Sequence, residues 1–177
     1  KKLASFFLIT IVFFAIQGCA DFPTTKVNID FSVTLNANAT TTTFSSTHAL
    51  NANSSSDFEK YRAKINSLNI ERISYTINAS SLPAGTVITN GKIEYVGKSG
   101  NVTLFSLTNF DVNGNLGKEI DIQSPPQATL DEIAQLIRSA PNSVTVLLSG
   151  TTNKAPIVST VTLKFYTKAV ARLIGKN

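Results

Sequence analysis

The feature that most restricts this chain is a two-residue rhythm. In Lys26 to Leu35, Val27, Ile29, Phe31, Val33 and Leu35 occupy one face, while Asn28, Asp30, Ser32 and Thr34 occupy the other. Side chains alternate sides only in a pleated strand, so one apolar face implies a half-buried strand. Val161, Leu163 and Phe165 repeat the rhythm inside Ile157 to Tyr166. Further strands are read at Ile70–Ile77, Thr86–Thr89, Lys92–Val96, Asn101–Leu107, Lys118–Ile122 and Ser143–Ser149. Ile70 and Ile73 break strict alternation, which a β-bulge would explain. Asn90-Gly91, between two apolar-alternating arms, predicts a tight hairpin. Leu82–Gly85 and Lys98–Gly100 predict turns.

Two stretches have helical spacing instead. Ser56-Asp57-Phe58-Glu59 reads as a capping box, followed by Phe58, Tyr61, Ile65 and Leu68, and predicts a helix of about ten residues. Thr129-Leu130-Asp131-Glu132 reads as a second box, with Leu130, Ile133, Ala134 and Ile137 as its stripe and Pro141 as its stop. Asn36–Ser55 is rich in Asn, Ala, Thr and Ser. It is read as a short edge strand near Thr41–Phe44 followed by a loop carrying His48. Many strands with mostly short connections favour an antiparallel β-sandwich, immunoglobulin-like or of a related Greek-key type, with two short helices in the connections. The immunoglobulin Cys pair and core Trp are absent, so the label is architectural.

The N-terminus has a different character. Lys1 and Lys2 precede Leu3–Ile16, in which only Ser5 and Thr10 are polar. Fourteen residues are too few for a membrane-spanning helix, which needs about 20, but they suit the apolar core of a secretory signal. The chain opens on Lys1 rather than Met, so residues are expected to precede it. The stretch ends Ile16-Gln17-Gly18-Cys19, which resembles the lipobox of bacterial lipoproteins: an aliphatic residue, a spacer, a small residue, then Cys. Cys19 is the single cysteine of the chain. The resemblance implies cleavage between Gly18 and Cys19 and acylation of Cys19, with acyl chains as the membrane anchor. By resemblance to lipoproteins of Gram-negative bacteria, Ala20 after the Cys implies passage to the outer membrane. The expected organisation is a signal peptide over 1–18, a lipidated tether over 19–25 and one sandwich domain over 26–177.

The composition narrows the chemistry. The formal charge is +5, and losing Lys1 and Lys2 with the leader lowers it to +3. Scattered positive charge of that size gives no case for nucleic acid. One Cys and one His cannot form a zinc site of the usual kind. Asp111-Val112-Asn113-Gly114-Asn115 starts like a Ca²⁺ loop, yet Leu116 and Ile122 stand where Gly and Glu are required, so it is read as a turn. His48 has no Asp nearby in sequence to orient it. Asp131-Glu132 is read as helix-dipole pairing, and Glu119/Asp121 as a solvated strand edge. The sequons at Asn38, Asn53, Asn78 and Asn101 are read as chance in an Asn- and Thr-rich chain. No catalytic set, metal or cofactor is therefore expected.

The leading expectation is a membrane-anchored envelope lipoprotein, a non-enzymatic binding or structural module with a protein or glycan partner. The alternatives are a periplasmic carrier or chaperone of an apolar ligand and, behind it, a hydrolase. A cavity lined by Phe31, Phe105 and Phe165 would favour the carrier, and a filled core would count against it.

Overall fold

A computed structural model describes residues 23–173, and within them nine strands form two antiparallel sheets. In the first sheet, β9 (Val158–Arg172) is central. It pairs on one side with β1 (Thr24–Asn28) and β2 (Phe31–Asn36) in succession, and on the other with β4 (Ile65–Ser81), whose far edge carries β7 (Glu119–Asp121). The second sheet runs β3 (Thr43–Asn51), β8 (Ser143–Thr152), β5 (Val87–Gly97), β6 (Gly100–Asp111).

The chain crosses between sheets at every connection from β2 onward except the β5–β6 hairpin. With β1 and β2 counted as one broken strand, this is the eight-stranded double Greek key of a jelly roll. Of the two expected arrangements, connectivity selects the Greek-key one. The break at Ile29-Asp30 does not interrupt the ladder, because the Ile29 N–H donates to the Thr167 carbonyl at 3.2 Å.

The core lies between the inward faces. Ile29, Phe31, Val33 and Leu35 meet Val161, Leu163, Phe165, Ala169 and Ala171 on the neighbouring strand, and all are buried. Phe44, Leu50, Val144, Val146, Leu148, Ile93 and Tyr95 face them from the second sheet. Each large side chain fully withdrawn from water contributes about 1.5–3 kcal/mol. The loops at 37–42, 82–86, 112–118 and 153–157 gather at one end of the sandwich. The opposite end holds both helices, the Lys98-Ser99 turn and both described termini, where the Leu173 N–H reaches the Pro23 carbonyl at 2.9 Å.

Several local expectations change under tertiary pairing. Asn90-Gly91 is no turn; it lies within β5, paired on both sides, with Gly91 opposite Leu107 and Gly150. Two flanking strands supply more hydrogen bonds than a hairpin could. The glycines serve close approach instead. A Cβ on Gly150 would sit 2.5 Å from Asn90 O, 2.6 Å from Phe44 Cζ and 3.0 Å from Gly91 Cα. The hairpin turns at Lys98-Ser99, where Gly100 takes φ +118°, a value that favours glycine.

The segment before the first helix is mostly strand, not loop. β3 runs nine residues and places His48 opposite Val146. Helix α1 is only Ser56–Tyr61, capped by Ser55 rather than Ser56: the Phe58 N–H donates to Ser55 Oγ at 3.3 Å. A 3₁₀ turn (Arg62–Lys64) follows. Ile65 and Leu68 then belong to β4, opposite Ala171 and Ala169. The ten-residue helix is cut short because β9 offers that sequence a sheet partner. The irregularity near Ile70 is a bulge between Ile70 and Arg72, which keeps both Ile70 and Ile73 on the inner face.

Helix α2 (Gln127–Arg138) starts directly after Pro126, two residues before the expected box, and buries the expected stripe of Leu130, Ile133, Ala134 and Ile137. Phe58 of α1 meets Phe31 edge to face at 5.7 Å, which ties α1 to the edge strand β2.

Two substitutions test this packing. Gly150→Ala should cost about 1–3 kcal/mol, because the new methyl meets backbone that cannot move aside. Phe58→Ala should cost about 3–5 kcal/mol. Urea unfolding of both variants against the parent measures each effect.

Candidate functional site

The residues of the expected cleavage and acylation site, Gly18 and Cys19, lie outside the described residues. The described chain enters the sheet at Thr24, opposite Arg172, at the helix-bearing end. No described helix is long and apolar enough to cross a membrane.

The two sheets present unlike outer faces. On the first, alternation on β4, β7 and β9 places charged and polar groups side by side. Arg72 Nη1 lies 2.7 Å from Asp121 Oδ1, and Arg72 Nη2 lies 3.3 Å from Glu119 Oε1. The Arg72 guanidinium stacks 3.8 Å above the Tyr166 ring, and Lys164 Nζ approaches the same ring at 4.2 Å. Glu119 also accepts from the Tyr166 hydroxyl and from Ser74 Oγ, the latter at 2.7 Å. These hydrogen bonds, Tyr166 first, hold the Glu119 carboxyl below its ordinary value. Lys164–Asp30 (3.5 Å) and Lys168–Glu71 (3.1 Å) extend the lattice. Glu119 and Asp121 thus do share a strand face, but Arg72 holds both.

The outer face of the second sheet is nearly uncharged. Its cross-strand rows read Thr43–Thr151–Asn90–Thr108 and Ser45–Ser149–Lys92–Ser106. Its single ion pair among the described residues is Lys92–Glu94 at 2.9 Å.

Between the sheets, toward the four-loop end, lies an apolar cavity of about 40 Å³. Phe44, Tyr75, Ile77, Leu148 and Val161 form its depth, with Leu82, Phe105 and Leu107 half-buried at its β6 side. Of the three phenylalanines whose lining of a cavity would favour a carrier, Phe105 does line this one. Phe31 and Phe165 are instead packed in the filled core. A void that holds benzene measures about 150 Å³, so this one, at about 40 Å³, is too small for such a ring.

Glu132 is engaged in a way the sequence does not signal. Rather than capping its own helix, it reaches across to the β5–β6 hairpin. The Tyr95 hydroxyl donates to Glu132 Oε2 at 2.7 Å, and the Lys98 N–H donates to Oε1 at 2.8 Å. Lys98 Nζ reaches Gln135 Oε1 at 2.6 Å. The Lys98 and Tyr95 hydrogen bonds lower the Glu132 pKa. Burial, then the bond to Glu132, pushes the Tyr95 hydroxyl up to about 12. Asp131, its neighbour, lies in the second turn and accepts from Gln127 Nε2 at 2.8 Å. The expected dipole pairing is therefore replaced by a clasp between α2 and the hairpin.

The other candidates are structural. Asp111–Asn115 is a turn that closes on itself: Asn115 Nδ2 donates to the Asp111 carbonyl at 2.8 Å, and the Thr86 N–H donates to Asn113 Oδ1 at 3.0 Å. Among the described residues no three His, Cys, Asp or Glu side chains converge as metal ligands. His48 has no hydrogen bond or ion pair to a carboxylate among the described residues.

No family model matches the chain, and no curated protein matches it. Solved structures resembling it include Desmodium yellow mottle tymovirus, at 14% identity and TM-score 0.43 over 100% of this chain and 97% of that one. Another is turnip yellow mosaic virus at 100 K, at 11% identity and TM-score 0.40 over 86% and 98%. A third is tobacco necrosis virus, at 9% identity and TM-score 0.41 over 85% and 98%. At these scores the likeness adds nothing to the topology read from the strand pairing.

The clasp predicts a pH profile. The folded Tyr95 pKa is raised, so its stabilisation is complete below pH 10 and is lost as pH rises toward about 12. Glu132 is depressed, so its share is present above the ordinary carboxylate value and fades as pH falls through the folded one. Tyr95→Phe should flatten the alkaline limb between pH 10 and about 12 while leaving most core packing intact. Urea midpoints across that range measure it.

Proposed function

We propose that the chain is a membrane-anchored envelope lipoprotein whose sandwich is a non-enzymatic binding or structural module. The observation that carries this reading is Ile16-Gln17-Gly18-Cys19 at the end of an apolar run behind two lysines. The geometry of the body is compatible with it. From Cys19 to the start of β1 at Thr24 is five residues, at most about 17 Å of extended chain. Acyl chains on Cys19 therefore hold the helix-bearing end against the bilayer. The four loops at 37–42, 82–86, 112–118 and 153–157 then point away from it, toward a protein or glycan partner. Outer-membrane residence belongs to the same reading and rests on Ala20.

The other readings receive less support. A carrier of apolar ligands needs a chamber, and the cavity of about 40 Å³ is smaller than one benzene ring requires. A hydrolase needs an acid or base set beside an orienting partner, while Glu119, Asp121 and Glu132 are each committed to neighbouring groups and His48 sits in β3 opposite Val146 with no carboxylate bonded to it among the described residues.

The test is direct. Cells fed labelled palmitate should label the parent chain and not Cys19→Ala, and the mass of the mature protein should place the acyl groups at residue 19. Equal labelling of both chains, or unchanged partitioning of the variant into the detergent phase, overturns the anchor.

A further inference from the structure

Every sheet has edges, and an edge strand presents unpaired backbone groups that invite another strand. Three of the four edges here are blunted. β7 is three residues long and acidic. The β1–β2 edge carries Lys26 and is broken at Ile29-Asp30. β3 lies beside β2 where the two sheets close on each other.

The fourth edge, β6, has none of these protections. It spans twelve residues, pairs only with β5 among the described residues, and holds neither proline nor lysine. Its one charge is Asp111, at the very end. It has two irregularities, the bulge at Leu104, whose side chain turns inward and is buried, and Asn109 near its end, at φ +51°; Phe105–Thr108 between them runs in regular register with β5.

The side of the sandwich next to β6 is also incompletely closed. Because β7 pairs with only three residues of β4, Phe105, Leu107 and Phe110 on the inner face of β6 stay half-buried. Tyr75 of β4 covers part of them, stacking on Phe105 at 4.7 Å and tilted against Phe110 at 6.4 Å. The small apolar cavity sits behind this seam. An added strand would gain a ladder of hydrogen bonds and place alternate side chains over the seam.

We propose that the occupant is the β6 of a second copy of this chain, joined antiparallel across a two-fold axis to make one continuous eight-stranded sheet. The argument is self-complementarity. Gly100 to Phe110 is uncharged, so antiparallel self-pairing puts no like charges opposite one another within it. The outward residues Thr103, Ser106 and Thr108 offer hydroxyls that pair with one another. A partner chosen by charge would find nothing to read on this edge. The proposal is independent of the lipid anchor.

The test uses the full chain carrying Cys19→Ser, purified in mild detergent, so its outcome does not depend on acylation. Sedimentation velocity should show a concentration-dependent dimer. Thr103→Lys, Ser106→Lys and Thr108→Lys together should weaken it by about tenfold or more, since like charges then meet across the axis, with the melting temperature confirming a folded protein. In the same Cys19→Ser background, Thr103→Cys, Ser106→Cys and Thr108→Cys are exposed to oxidised glutathione singly and in mixed pairs. Mixed in pairs as well as alone, at least one combination should form a disulfide dimer, because residues directly opposite one another across the axis bring Cα atoms to about 4.5–5.5 Å. Thr47→Cys on β3 should form it far more slowly. A monomer at all concentrations, a dimer indifferent to the lysines, or equally fast crosslinking from Thr47→Cys overturns the proposal.

Discussion

The pairing of β9 with its neighbours on both sides is the constraint from which the rest follows. Over fifteen residues this strand supplies backbone partners to β1, β2 and β4. Its inward residues, from Val161 through Leu163 and Phe165 to Ala169 and Ala171, form the floor on which the second sheet packs. The bulk falls along the strand, from Phe165 to the two alanines. The alanines leave room at the helix-bearing end, where α1 and α2 bring Phe58, Ile133 and Ile137 into the core. Because β9 takes Ile65 and Leu68 into its ladder, α1 ends after six residues and β4 grows to seventeen.

Charge divides the molecule as clearly as topology does. The first sheet wears a lattice centred on Tyr166, with Arg72 and Lys164 against its ring and Glu119 at its hydroxyl. Each partly exposed pair in such a lattice contributes little by itself, but a network in fixed register holds its members in place. The second sheet carries hydroxyls and amides with a single ion pair among the described residues. A sandwich with one guarded and one neutral face has a direction. The guarded sheet resists edge pairing, and the neutral one leaves it open at β6.

The clasp of Glu132 on Tyr95 and Lys98 fixes how the helix-bearing end is assembled. It joins the connection before β8 to the hairpin between β5 and β6, segments more than thirty residues apart in sequence. Gly97 fits this contact by lacking a side chain, since a Cβ there would lie 3.0 Å from Glu132 Oε1. The hairpin is thereby held to the helix.

The amino-acid sequence by itself determined the class of the fold. Alternation at Val27–Leu35 and Val161–Phe165 can bury one face only as pleated strands, and the stripe from Leu130 to Ile137 can do so only as a helix. It also carried the lipobox resemblance, which is local chemistry and needs no tertiary partner to be read. What the tertiary structure decided was everything set by pairing at a distance. Asn90-Gly91 has the local energetics of a turn, yet strands on both sides hold it extended. Thr129–Glu132 has the letters of a capping box, yet Glu132 binds a hairpin. His48 has the setting of a loop, yet β8 draws it into a strand. In each case the local preference is worth a kilocalorie or so, while pairing across the sheet or to a remote residue supplies several hydrogen bonds and buried surface together. The choice of jelly roll, the unlike outer faces and the open β6 edge arise the same way: they depend on which strands end as neighbours, and a rhythm of two specifies a strand without specifying its partner.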